Sequence, residues 1–301
     1  MFESYRQKIG FFYAIAAFGF WGMVPLYFKS VQHVLPLEIL GHRIVWSVPV
    51  TLILIATGHD WKALRQALSS VKVMRTLVLS SMLVATNWFI FIYAINTNRV
   101  LQASLGYFIN PLVNVLLGII FLRERLQSLK IMAVLLAAVG TINLTLSYGE
   151  FPWISLALAF IFGSYGLLRK TVRIEAVNGL FIETSLIFPL AFCYLLFRGV
   201  KGDGAFGVID WQTTVLLILA GAVTIFPLVW FTCAARRLQY ATIGILQYLA
   251  PTLQFLLAVF YYEEPFSVTY IITFCFIWAG LGIFMLDSIV QMRRHKRRFD
   301  A

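Results

Sequence analysis

Charge is what this chain has least of. Its 301 residues include 24 Lys and Arg and 13 Asp and Glu, 12% in all, while 60% are apolar. A soluble domain carries about 25% charged and 45–50% apolar residues, so water could not be kept from this much hydrocarbon. A soluble enzyme, a secreted disulfide scaffold and a disordered chain are all excluded. Cysteine is nearly absent as well. Cys193, Cys233 and Cys275 each lie in an apolar run. Their odd number and lack of short spacing support neither a disulfide framework nor a zinc site, and they read as buried small hydrophobes. There is no G-x-x-x-x-G-K-[ST] loop and no His, Asp and Glu grouping with metal-ligand spacing. No cofactor, metal or single-chain ATP-driven pump is therefore expected.

What is present is apolar sequence in long runs, with a mean hydropathy of +0.85. A membrane-spanning helix needs about 20 mostly apolar residues. Ten runs qualify: 9–28, 37–57, 76–95, 100–122, 131–148, 151–168, 179–197, 211–235, 238–262 and 265–286. Barrel strands would be about 10 residues of alternating polarity, so the reading is an all-α polytopic membrane protein. The first run is too long for a leader and reads as a true span. Residues 57–75 place Trp61, Leu64, Leu68 and Val71 at helical spacing among charges, as a helix lying on the membrane surface would.

The sparse charges are distributed unevenly. Taking the N-terminus as cytoplasmic, nineteen Lys and Arg fall on inside segments. Four (Lys29, Arg99, Arg198 and Lys201) fall outside, and Arg43 lies within a span. That bias and an even number of spans put both termini in the cytoplasm. The net charge of +11 is thereby explained as an orientation signal, with the basic tail 289–301 beside anionic lipid. No nucleic acid is expected as a partner.

Shifted by 140 residues, the chain matches itself: Pro49 falls on Pro189, Phe91 on Phe231, Pro111 on Pro251, Glu124 on Glu264 and Gly140 on Gly280. Two halves, 1–148 and 149–288, would each hold five spans. An odd number makes the second half inverted relative to the first, a plan used by secondary transporters with a site at the repeat interface. The run Tyr93-Ala94, then Asn110-Pro111, then Glu124 before a span ending near Gly140 resembles the EamA-type repeat of the drug/metabolite transporter superfamily. PLEILGHRIVWS (36–47), ASLGYFINPLVNVLLGIIFLRER (103–125), YGLLRKTVRIEA (165–176) and QYLAPTLQFLLAV (247–259) are similar to its RarD type. The resemblance implies ten helices as two inverted five-helix repeats that move small molecules across a bacterial inner or plasma membrane; a small-molecule substrate and membrane lipid are the expected partners.

Ionisable groups inside a bilayer are functional candidates by default. Span 2 holds Glu38, His42 and Arg43, and span 7 holds Glu183. Arg43 and Glu183 are repeat mates of opposite charge. They either meet or, lying near opposite ends of their spans, line separate vestibules; Arg43 could instead snorkel to the interface. Glu38 and His42, one turn apart, could bond locally. Glu183 is the proton-coupling candidate, being the acid well within a span. The cavity candidates are Trp21, Lys29, His42, Arg43, Trp46, Asn87, Tyr93, Tyr107, Asn110, Asn114, Tyr165, Gln247 and Tyr248. Gly22, Pro25, Pro111 and Pro251 are hinge candidates. The expected function is secondary export of a small metabolite or drug-like molecule. An intramembrane enzyme, a pore or a lipid scramblase are the alternatives.

Overall fold

The computed structural model describes residues 2–58, 61–96, 100–147, 151–261 and 268–299, and these are helical with no strand among them. The helices are α1 (Phe2–Ser30), α2 (Pro36–Gly58), α3 (Trp61–Ser69), α4 (Val71–Asn96), α5 (Val100–Leu122), α6 (Ser128–Ser147), α7 (Trp153–Thr171), α8 (Ala176–Val200), α9 (Trp211–Ala235), α10 (Tyr240–Gln247), α11 (Leu249–Leu256) and α12 (Val268–Phe299), with a π-helical turn at Leu257–Tyr261 after α11. Among the described residues, eight of these (α1, α2, α4, α5, α6, α8, α9 and α12) are long and apolar enough to cross a membrane. Their outward faces carry Phe12, Ile53, Met82, Leu135 and Leu190, all exposed. In water this surface would aggregate; in lipid it needs no cover.

Three elements differ from the sequence reading. The ninth apolar run is interrupted at Tyr248 between α10 and α11. Pro251 has no N–H for the carbonyl of Gln247, four residues before it, and its ring crowds that carbonyl. Pro111, 140 residues earlier, stays within the continuous α5. Second, α7 continues past Leu168 and buries Arg169 completely, so this arginine is a core residue instead of a loop charge. Third, Cys193 and Cys275 are exposed and only Cys233 is half-buried. The expectation of three buried cysteines fails because lipid is as apolar as a protein core, so a membrane helix has no reason to turn a small hydrophobe inward.

The core is built across the two halves. α6 packs on α12, α2 on α8 and α5 on α10, while α1 runs along α9 and α11, and α7 along α5 and α4. A central cluster of Phe18, Tyr165, Phe231, Tyr240 and Ile243 fills the middle. α3 is a single short helix that buries Leu64 and Ala67 and leaves Trp61 and Leu68 exposed. At the start of α9, Asp210 accepts from the Thr213 N–H at 2.5 Å, which holds its carboxyl below the usual carboxylate range. Such a cap satisfies one of the orphan donors of a helix start.

Candidate functional site

A cavity of about 150 Å³ opens between the halves, lined from α1, α2, α4, α5, α7, α9, α10 and α11. Its walls are aromatic: Phe18, Trp21, Phe28, Trp88, Phe91, Tyr107 and Phe162. Its polar groups are Arg43, Asn87, Asn110, Thr224, Gln247 and Gln254. Most of the amide donors are already committed. Asn87 donates to the Leu158 carbonyl at 3.1 Å, Asn110 to the Ala159 carbonyl at 2.6 Å and Gln254 to the Trp21 carbonyl at 3.1 Å. Gln247 donates to Asn110 Oδ1 at 2.5 Å, and Asn114, behind the wall, donates to Gln247 Oε1 at 2.7 Å. This cluster ties α5 to α10 and α7 at the depth where unpaired amides would be costly.

Of the residues singled out in the sequence, Trp21, Arg43, Asn87, Tyr107, Asn110, Gln247 and Pro251 line the cavity. The others lie elsewhere. His42 stacks on Phe206 at 4.9 Å and accepts from the Trp46 indole at 3.3 Å. Lys29 and Tyr93 are exposed, the latter 6.1 Å from Trp153. Tyr248 donates to the Phe108 carbonyl at 3.2 Å. Gly22 brings α1 against α11, where a Cβ would stand 2.6 Å from that of Leu253. Pro25 lies inside α1, and Pro111 is buried in α5.

Arg43 and Glu183 do not meet. Arg43 Nε donates to Thr224 at 3.0 Å, and its guanidinium lies 5.2 Å from the Trp88 ring centre. α2 and α8 run antiparallel, since Glu38 at the start of one lies 3.9 Å from Arg198 near the end of the other. From that contact, Arg43 is five residues along α2 and Glu183 fifteen back along α8, so they differ by roughly 15 Å in depth at 1.5 Å per residue. Glu38 also accepts from the Ala205 N–H at 2.6 Å. It therefore pairs across to α8 and the loop after it, leaving His42 to Trp46.

Glu183 is wholly buried, 3.6 Å from Arg169, and accepts hydrogen bonds from Ser80 and from Tyr165, the latter at 3.4 Å. Arg169 in turn donates to the Ala176 carbonyl at 2.9 Å. This partner has no signal in the sequence, because the apolar run ends one residue short of Arg169. Among the described residues, no group of three or more His, Cys, Asp or Glu could hold a metal.

Beyond the cavity, the loop after α5 is bonded to the start of α10. Arg123, at a φ of 53°, turns the chain after α5 so that Glu124 points back across it. The Glu124 carboxylate then accepts from the Tyr240 N–H at 2.6 Å and the Ala241 N–H at 2.9 Å, capping α10 from another helix. Gly118 makes room for it, since a Cβ there would stand 2.7 Å from Glu124 Oε2. Tyr240 also donates to the Gly163 carbonyl at 2.6 Å. We expect Glu124→Ala to lower stability by about 1.5–3 kcal/mol for the lost charge-assisted bonds. Thermal unfolding in detergent measures this, and Glu124→Gln should recover less than half of it.

Comparison with known proteins adds the following. Residues 8–146 match the EamA-like transporter family. The chain is 42% identical to Protein RarD of Escherichia coli (strain K12), over 97% of this chain and 99% of that one. It is 45% identical to an uncharacterized transporter of Vibrio cholerae, over 95% of each chain. With the transporter YojE of Bacillus subtilis (strain 168) the identity is 43%, over 97% and 98%. A solved crystal structure, 20% identical, superimposes with a TM-score of 0.72 over 93% of this chain and 98% of the other, which shows a shared fold.

Proposed function

From the premise that the chain belongs to the EamA-like transporter family and its RarD-like group, and is a multi-pass membrane transporter, we propose a secondary carrier that exports a small metabolite by alternating access. The observation that carries this reading is the cavity lined by helices from both halves of the chain, with Glu124 bonding the loop after α5 to α10 beyond it, which we read as the closed end. A pore would need a path at both ends. A carrier needs one end closed while the other gives access.

In this reading α7 and the broken α10–α11 pair complete ten spans with the eight apolar helices. The internal contacts support an inverted repeat. A Cβ on Gly140 would meet the Thr273 carbonyl at 2.8 Å, and one on Gly280 the Ala133 carbonyl at 2.6 Å. These two contacts map onto each other under the 140-residue shift. They also run antiparallel, as helices related by an axis in the membrane plane do. The charge bias supports cytoplasmic termini and a bacterial inner membrane. Gly22, Pro25, Pro111 and Pro251 are where the helices would flex.

Glu183 is the proton carrier of this scheme, released from Arg169 when protonated. Purified protein in vesicles, preloaded with candidate solute, should exchange it with saturation and counterflow. If a proton gradient drives export, Glu183→Gln should retain exchange but lose its dependence on pH. A variant whose pH profile matches the parent removes Glu183 from coupling, and solute efflux without counterflow refutes the carrier.

A further inference from the structure

Among the described residues, the cavity lining holds one full charge, Arg43, and no acid. Elsewhere among the described residues, buried cations meet acids: Arg169 with Glu183, Lys170 with Glu124, and Arg198 with both Glu38 and Asp203. Arg43 has no described carboxylate within 4 Å, and no acidic residue lines the cavity. Its Nε is held by Thr224, and Trp88 and Phe28 lie 5.2 and 5.6 Å from its guanidinium carbon. These contacts fix the plane of the fork and leave its two terminal nitrogens without a hydrogen bond to any described residue. Asn87, Asn110 and Gln254 have turned their NH₂ groups to backbone carbonyls, and Gln247 donates to Asn110. A fixed planar fork with free terminal donors matches a carboxylate.

The rest of the cavity limits what can carry that carboxylate. Trp21, Phe91 and Phe162 offer apolar ring surfaces. At about 150 Å³ the space is well below that of a drug-sized pocket, and an apolar cavity of about this volume accepts a body the size of benzene. Among the described lining residues, a second negative charge would find no second cation and an ammonium group no acid.

Resting on the carrier reading above, we infer that the cavity binds a small organic monocarboxylate with a flat apolar body, its carboxylate on Arg43 and its body among the rings. Drug-sized molecules, amines and dianions are excluded from this state of the protein.

The test uses the purified full chain in detergent with benzoate, phenylacetate, benzamide and benzylamine at equal millimolar concentrations. Benzoate or phenylacetate should raise the thermal midpoint, since a ligand bound only by the native state stabilises it, and the amide and amine should not. Arg43→Gln should weaken carboxylate binding about ten- to a hundredfold, the usual range for a lost charge-assisted bond. Arg43→Lys, which keeps the charge and loses the fork, should fall between. Stabilisation by benzamide or benzylamine equal to that by benzoate overturns the inference, as does stabilisation by neither carboxylate. So does equal stabilisation of the parent and Arg43→Gln proteins. The wild-type comparison of acid with amide stands even where a variant does not fold. Counterflow separates the two readings: Arg43-dependent binding without exchange leaves the anion site and removes the carrier. Exchange of a neutral or cationic solute that benzoate does not inhibit does the reverse.

Discussion

Replacing Glu183 with alanine is expected to destabilise the protein by about 3–5 kcal/mol, the range for removing one partner of a buried ion pair. The reason is what stays behind. Arg169 is wholly buried and would keep its charge with only the Ala176 carbonyl to receive it. Ser80 and Tyr165 would lose their acceptor at the same time. Glu183→Gln should be milder, because the two hydroxyls bond different carboxylate oxygens and the amide oxygen still accepts from one of them. The paired variant Glu183→Leu with Arg169→Met should recover most of the loss, since a packed apolar pair replaces a buried salt bridge at little net cost. Unfolding midpoints in detergent decide it. If the paired variant is as unstable as the two single losses added together, the ion pair is not the source of the effect. The same geometry explains why coupling and stability must be read separately at Glu183: a variant can lose transport merely by failing to fold, and Glu183→Gln is the one that keeps the two apart.

Gly221→Ala is expected to have the second large effect. An added Cβ would stand 2.4 Å from both the carbonyl carbon and oxygen of Trp46 and 2.8 Å from the Ser47 nitrogen. All three are backbone atoms of α2, so no rotamer can relieve the clash and the helices must separate. Overpacking of this kind costs about 1–3 kcal/mol. The displacement also reaches the cavity. Thr224 is one turn along α9 from Gly221, and Arg43 one turn along α2 from Trp46, so the 3.0 Å bond between them spans the same helix crossing. Transport should fall further than stability does, and a carboxylate bound at Arg43 should weaken with it. Gly19→Ala is the control: nothing stands within 4 Å of a Cβ there, and alanine is the better helix former by about 1 kcal/mol. A Gly221→Ala protein with the parent's midpoint and exchange rate would show that α2 and α9 can part without consequence.

Much of the candidate site was legible from residue type alone. Polar residues in apolar runs are few, so listing them was enough to reach Arg43, Asn87, Asn110 and Gln247. What the listing could not do was sort them. Asn110 and Asn114 share a helix face, yet one lines the cavity while the other lies behind it, bonded to Gln247. Tyr165 and Tyr107 look alike in sequence, yet one serves Glu183 and the other faces the cavity. Glu38 and His42 have the spacing of a local pair, but Glu38 accepts from the Ala205 N–H and His42 stacks on Phe206. In every case the outcome depends on a neighbour more than a hundred residues away or on the opposite helix, which no local pattern encodes.

The amino-acid sequence by itself determined the solvent, the element type and the family. Runs of about 20 apolar residues with few charges fit only helices in lipid, because backbone groups there must be satisfied within their own segment. Tertiary structure decided which charges are paired. The bilayer makes every unpaired charge costly, and whether Arg169 or Arg43 gains a carboxylate depends on which helix lies against it. Packing brought Glu183 to Arg169 and left Arg43 open to the cavity.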